Sequence, residues 1–181
     1  MREVDRSTKV RRRVLLRAGA FAVPAAAVAS AGISATAAWA ADAKNIQPHT
    51  MATLAQMARD IYPHDYIADV FYIRAVTPWD AKAGNDPAVK TMVEGGVARL
   101  DAAAGDKHGS PYMQVGWEAD RVALLQGIED SKFFKALRAD LVVSLYNQPD
   151  IWPKLGYEGS SAEYGGYLHR GFNDIDWLPA V

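Results

Sequence analysis

Residues 50–63 read TMATLAQMARDIYP and carry a clear helical pattern. Apolar side chains recur there at intervals of three and four residues, at Met51, Leu54, Ala55, Ala58, Ile61 and Tyr62. This spacing predicts an amphipathic helix with one buried face. Thr50 can cap its first turn, and Pro63 cannot continue it.

The same period predicts four more helices further along the chain. Asp65, Asp86 and Ser131 stand where N-terminal caps are expected, immediately before apolar residues with helical spacing. Pro78 is expected to end the first of these helices. The predicted segments are residues 65–77, 86–104, 118–128 and 131–147.

The segment 86–104 has Pro87 at its first helical position and Gly95-Gly96 in its middle. A glycine inside a helix costs about 1 kcal/mol relative to alanine. Either another helix packs closely against these glycines or the segment bends there. Ala104-Gly105 is expected to end it.

The last predicted helix has the most regular apolar stripe, formed by Phe134, Leu137, Leu141 and Leu145. The chain shows no alternating pattern typical of strands and no internal repeat. The sequence therefore predicts an all-α protein, a single domain of four to five helices over residues 41–147.

The beginning of the chain resembles an export signal. Arg12-Arg13 are followed by one residue, by Leu15-Leu16 and by another basic residue. An alanine-rich apolar run then covers residues 18–39. This order predicts a twin-arginine signal, which carries folded proteins across the bacterial inner membrane. Arg11 departs from the usual pattern, in which a serine or threonine precedes the arginine pair.

Ala38 and Ala40 provide the small residues of a signal peptidase site, so residues 1–40 are expected to be removed. The exported protein would begin at Ala41 and reside in the periplasm. A general secretory signal has a similar layout and is one alternative. An uncleaved membrane anchor is another, although an alanine-rich run gains less from lipid than a leucine-rich one.

The charge of the part expected to be exported argues against several kinds of partner. Residues 1–40 hold seven basic and two acidic side chains, which leaves 13 basic and 19 acidic ones. This acidic balance argues against nucleic acid and anionic membrane surfaces as partners. The chain has no cysteine. Thiolate metal sites, iron–sulfur clusters and covalently attached haem c are therefore excluded.

Residues 148–181 lack helical periodicity but are rich in aromatic residues and contain five glycines. Disordered tails are poor in aromatic residues. We therefore expect an ordered segment that wraps over its own helices or over another protein, with the glycines allowing close approach or positive φ. The aromatic residues are Trp152, Tyr157, Tyr164, Tyr167, Phe172 and Trp177.

No assembled catalytic or cofactor site is recognisable in the sequence. There is no glycine-rich phosphate loop and no dinucleotide fingerprint, so the chain is not expected to hold FAD, NAD or ATP by itself. His64 beside Asp65 favours a capping or turn role over that of a base. Asp174 and Asp176 favour a polar turn over an acid–base pair. The sequence predicts a chain without catalytic activity.

Three parts of the chain carry a family resemblance: the leader, residues 54–72 with the corner Ile61-Tyr62-Pro63-His64-Asp65, and the tail. The matching tail residues are Leu145-Tyr146, Trp152, Leu155-Gly156-Tyr157-Glu158-Gly159 and Gly165-Gly166-Tyr167. Together they resemble the family called gluconate 2-dehydrogenase subunit 3. Many members carry cysteines, whereas this chain has none.

The resemblance implies a partner. Proteins of this family accompany a large flavoprotein of the glucose-methanol-choline oxidoreductase type, often together with a cytochrome c subunit. The large subunit holds FAD and oxidises a sugar, a sugar acid or an alcohol. The small subunit carries the signal that brings both to the twin-arginine translocase.

These observations predict a non-catalytic accessory subunit whose body and tail bind the flavoprotein. One alternative is a stand-alone exported binding or structural protein. Another is an exported enzyme that uses His64 and nearby carboxylates. The predicted partner-binding residues are Trp152, Gly156, Tyr157, Gly165, Gly166, Tyr167 and Trp177.

Overall fold

A computed structural model describes residues 38–172. These residues form helices and connecting turns without any strand, which confirms the all-α class. Three short 3-10 helices complete them, at Tyr112–Gln114, Pro149–Leu155 and Ser161–Tyr164. Residues 38–41 are also helical, and the longer α-helices are α1 Pro48–Ile61, α2 Asp69–Val76, α3 Pro78–Asn85, α4 Pro87–His108, α5 Glu118–Gln126 and α6 Lys132–Ser144.

Two of the predicted caps are confirmed. The Ser131 hydroxyl accepts a hydrogen bond of 3.1 Å from the Phe134 N–H. The Asp86 carboxylate accepts one of 2.8 Å from the Ala88 N–H. Both bonds satisfy amide donors that a helix start leaves without an internal partner.

The other two predicted caps are wrong. Thr50 lies inside α1, where its hydroxyl donates to Glu94 across 2.6 Å. Helix α1 starts earlier, at Pro48, because proline suits the first turn of a helix. Asp65 belongs to a turn, and α2 begins four residues later at Asp69.

Pro78 begins a helix instead of only ending one. It stands at the first position of α3, where its missing N–H costs nothing. Trp79 and Ala83 are buried on the inner side of this short helix. The predicted end of α4 at Ala104-Gly105 is also wrong, since α4 continues to His108 and ends at Gly109, whose φ is 71°.

Helix α1 forms the centre of the fold. It packs against α2, α4, α5 and α6, and Leu54, Met57 and Ala58 are inaccessible to solvent. Of the predicted stripe, Leu137 and Leu141 of α6 and Leu145 at its C-terminal cap lie in this core, whereas Phe134 is only partly buried. Among the helices of residues 38–172, none is both long and apolar enough to cross a membrane.

The paired glycines of α4 have different surroundings. A β-carbon at position 96 would lie 2.4 Å from the ring of Phe133 in α6, far inside van der Waals contact. At position 95 the nearest atom would be an Arg99 nitrogen 3.9 Å away. The helix runs through both residues, so close packing is the correct alternative, and only Gly96 is required by it.

Gly96→Ala and Gly95→Ala should therefore change stability in opposite directions. The first overpacks the core, which typically costs about 1–3 kcal/mol and exceeds the gain in helix propensity. At position 95 the added methyl group has open space, so Gly95→Ala should raise the free energy of unfolding by up to about 1 kcal/mol. Urea unfolding of the two variants beside the parent chain measures both changes. Equal shifts in the unfolding midpoint would contradict the close packing of Gly96 against Phe133.

Candidate partner-binding surface

The tail is attached to the helical body through Ile151 and Trp152. Ile151 is fully buried, and the Trp152 indole N–H donates to the Tyr146 carbonyl across 2.8 Å. The Tyr157 ring meets the Trp152 ring edge to face, with centroids 5.3 Å apart. Trp152 therefore serves the domain's own packing, whereas Tyr157 is half exposed and free for another contact.

An open groove of about 650 Å³ runs beside this aromatic pair. One wall is the outer side of α6, where Val142 and Val143 are more than half exposed. Apolar side chains exposed next to one another mark a surface suited to binding a partner. We call it the tail groove, and its lining residues are Val142, Val143, Tyr146, Asn147, Trp152, Leu155, Tyr157 and Ser160.

The last described part of the tail is built around Arg170. Its guanidinium lies 4.6 Å from the Tyr164 ring centroid and 5.1 Å from that of Tyr167. It also forms an ion pair of 3.1 Å with Glu158. The Tyr164 hydroxyl donates to the Glu158 carbonyl. Cation–π contacts, an ion pair and a backbone hydrogen bond therefore stabilise this part of the tail together.

The predicted glycines shape this segment through backbone conformation. Gly156, Gly165 and Gly166 have φ angles of 73°, 77° and 74°, a region that other residues rarely adopt. A β-carbon at any of the three would meet no atom within 4 Å. Positive φ, and not close approach within the chain, therefore explains these glycines.

Four large apolar side chains between residues 164 and 172 of the tail face solvent. Tyr164 and Tyr167 are 55% and 58% exposed, and Leu168 and Phe172 reach 75% and 79%. They fall within nine residues, where the sequence offers no helical face to bury them. We call Tyr164, Tyr167, Leu168 and Phe172 the tail face.

The corner after α1 is joined to the tail groove. His64 Nε2 lies 2.7 Å from the Tyr146 hydroxyl, 82 residues away in the chain, and the two rings meet at 81°. Burial, together with the nearby Tyr62 and Tyr66 rings, raises the pKa of Tyr146, which keeps its hydroxyl protonated. Sequence reasoning missed Tyr146 as a site residue, because no local pattern links it to His64.

A second polar cluster lies inside the domain. The Asp60 carboxylate accepts two bonds from the Arg121 guanidinium, of 2.8 and 2.9 Å, and one of 2.6 Å from the buried Tyr112 hydroxyl. Gln56 donates to the same carboxylate. Burial and the Asp60 charge raise the pKa of Tyr112, so the phenol remains a donor. Because these donors occupy both oxygens, the cluster links α1 to α5 and acts structurally.

Several predicted site residues lie outside the described residues: Arg12, Arg13, Leu15, Leu16, Asp174, Asp176 and Trp177. Ala38 is exposed and Ala40 is buried. Within residues 38–172 no three His, Asp or Glu side chains gather as they would around a metal ion.

No family model, no curated protein and no solved structure matches this chain. The resemblance to gluconate 2-dehydrogenase subunit 3 therefore stays a prediction.

Proposed function

We propose that this chain is the non-catalytic small subunit of a periplasmic FAD-dependent sugar or alcohol dehydrogenase. It binds the folded flavoprotein and takes it through the twin-arginine pathway. The leader motif and the family resemblance support this proposal. The observation that carries it is the tail face, since a small acidic protein exposes four large apolar side chains on one short segment.

The tail face has the composition of a binding centre. Aromatic side chains are enriched among the residues that dominate interface energies, and burying apolar surface provides about 25 cal/mol per Å². The tail groove extends this surface along α6, and the His64–Tyr146 contact extends it to Tyr66. A partner that covers both the tail face and the tail groove would bury apolar side chains of each.

The export route matches the partner's cofactor. A flavoprotein that binds FAD in the cytoplasm must cross the membrane already folded, and the twin-arginine pathway accepts folded proteins. One signal on a tightly bound small subunit is sufficient for both chains. The small subunit then needs an interface and a leader, and no cofactor site of its own.

Purifying the tagged protein from the periplasm of its native host tests this function. We expect a large companion chain and the visible absorption of a flavin, with a haem spectrum as well if a cytochrome subunit is present. A colourless monomer would contradict the proposal and favour the stand-alone exported protein.

Replacing Tyr167, Leu168 and Phe172 together with serine should weaken partner binding. Loss of a central aromatic cluster typically costs at least about 2 kcal/mol, which is roughly a 30-fold loss of affinity. The measurement is the flavin absorbance recovered per small subunit, after washing the bound complex at low concentration.

Trp117→Ser is the matched control. Trp117 is 78% exposed but belongs to the start of α5, not to the tail. It should leave flavin recovery unchanged. Loss of flavin in the control with full recovery in the triple variant would place the interface elsewhere.

A further inference from the structure

The predicted cleavage junction is packed against the folded domain. Residues 38–41 are helical, Trp39 contacts the core, and Ala40 is only 1% exposed. The Ala40 carbonyl accepts a hydrogen bond of 3.2 Å from the Ala43 N–H. This carbonyl belongs to the peptide bond between Ala40 and Ala41, which a signal peptidase would cut.

A single carboxylate holds the chain that follows the junction. Asp80, in the first turn of α3, accepts the backbone N–H groups of Lys44, Asn45 and Ile46 at 3.1, 2.8 and 2.9 Å. The Ile46 side chain is buried, so this segment is held both by the hydrogen bonds to Asp80 and by an apolar contact with the core. Residues 44–46 are therefore fastened to the domain and do not form a free arm.

The hydrogen bonds to the Asp80 carboxylate are charge-assisted. Amide donors gathered on an ionised carboxylate make charge-assisted bonds, which are stronger than bonds between neutral groups. They also lower the pKa of Asp80, although burial acts in the opposite direction. The Gln47 N–H adds another bond of 2.7 Å, to Glu94 of α4.

A peptidase must reach the carbonyl carbon of the bond that it cuts. Exposed, extended segments are cut readily, whereas a helical and buried one must first open. When opening is fast relative to cleavage, the rate follows the population of the open form.

We propose that the folded domain masks its own processing site, with Asp80 as the latch that holds residues 38–47 in place. The inference rests on the proposed export signal. The leader of the folded precursor is then removed only after this segment detaches. Until that happens the chain remains tethered to the membrane through its uncleaved leader.

The test measures cleavage of the purified full-length precursor by signal peptidase in detergent. Asp80→Asn puts an NH₂ group where an accepting oxygen stood and removes the negative charge. Cleavage should become at least about tenfold faster, because the charge-assisted bonds are lost and the open form is more populated. Asp86→Asn is the control, because Asp86 caps α4 and holds no residue of this segment. Cleavage of Asp80→Asn at the parent rate would overturn the proposal.

A cross-link tests the same idea in the opposite direction. An ideal β-carbon at Gly84 lies 2.8 Å from Asn45 Cγ, close to where a cysteine sulfur would sit. Because the chain has no cysteine, Asn45→Cys with Gly84→Cys can form only this disulfide. We expect cleavage to be slower than in the parent when the cysteine pair is oxidised. Reduction of the disulfide should restore the parent rate. Equal rates in both redox states would contradict the latch.

Mass spectrometry of the cleaved product separates the two hypotheses. If the product begins at Ala41 but the cleavage rate is unchanged in Asp80→Asn and in the double cysteine variant, the masking is rejected and the export signal is retained. A different N-terminus would reject the predicted leader boundary, and the masking with it.

Discussion

Replacing Asp60 with alanine should lower the free energy of unfolding by about 3–5 kcal/mol, the usual cost of breaking a buried ion pair from one side. Asp60 is 6% exposed and is the common acceptor for Arg121 and Tyr112. The variant leaves the guanidinium without a counter-ion and the buried phenol without an acceptor. Urea unfolding followed by circular dichroism measures the loss.

The double variant Asp60→Ala with Arg121→Ala distinguishes pairing from simple truncation. Removing both charges leaves no uncompensated ion, so it should cost less than the sum of the two single changes. Asp130→Ala is the control. The ion pair between Asp130 and Lys135 is exposed, so its loss should leave the unfolding midpoint unchanged. A loss for Asp60→Ala no larger than for this control would contradict the structural role of the cluster.

On the proposed function, changing Arg12 and Arg13 together to lysine should reduce the periplasmic amounts of this chain and of the flavoprotein's dehydrogenase activity to background. Lysine keeps the positive charge of the leader but lacks the planar guanidinium. A general secretory signal needs only the charge, whereas the twin-arginine pathway reads the arginines themselves. Immunoblots of periplasm and a dye-linked dehydrogenase assay measure the two quantities separately.

Arg11→Lys is the matched control for this experiment. It alters the neighbouring residue by the same chemistry and should leave both quantities unchanged. Export of the lysine pair at the parent level would show that the leader uses the general secretory route. Loss of this chain from the periplasm with unchanged dehydrogenase activity would reject the escort role and retain the signal.

The candidate surface joins two regions that the sequence treats separately. The corner around His64 and the tail around Trp152 both meet Tyr146, one by its hydroxyl and the other by its backbone carbonyl. A change at this tyrosine would therefore affect both regions at once. One wall of the tail groove is helix α6, and a surface with regular secondary structure loses less conformational entropy on binding than a flexible loop does.

Local chemistry made part of the fold predictable. The caps at Asp86 and Ser131 and the leucines of α6 follow from interactions between residues at most four apart, so their pattern is visible in the sequence. Predictions failed where proline has two possible roles. Pro78 can end one helix or begin the next. In the tertiary structure the burial of Trp79 favours a new helix that begins at Pro78.

By itself the sequence determined the all-α class, two helix starts and the absence of thiol chemistry, because these depend on residue type and short-range spacing. Only the tertiary structure decided which distant residues meet. It pairs Asp60 with Arg121, His64 with Tyr146, Gly96 with Phe133 and Asp80 with residues 44–46. A periodic pattern shows which side of a helix is buried, but the partner on that side is chosen by the packing of the whole chain.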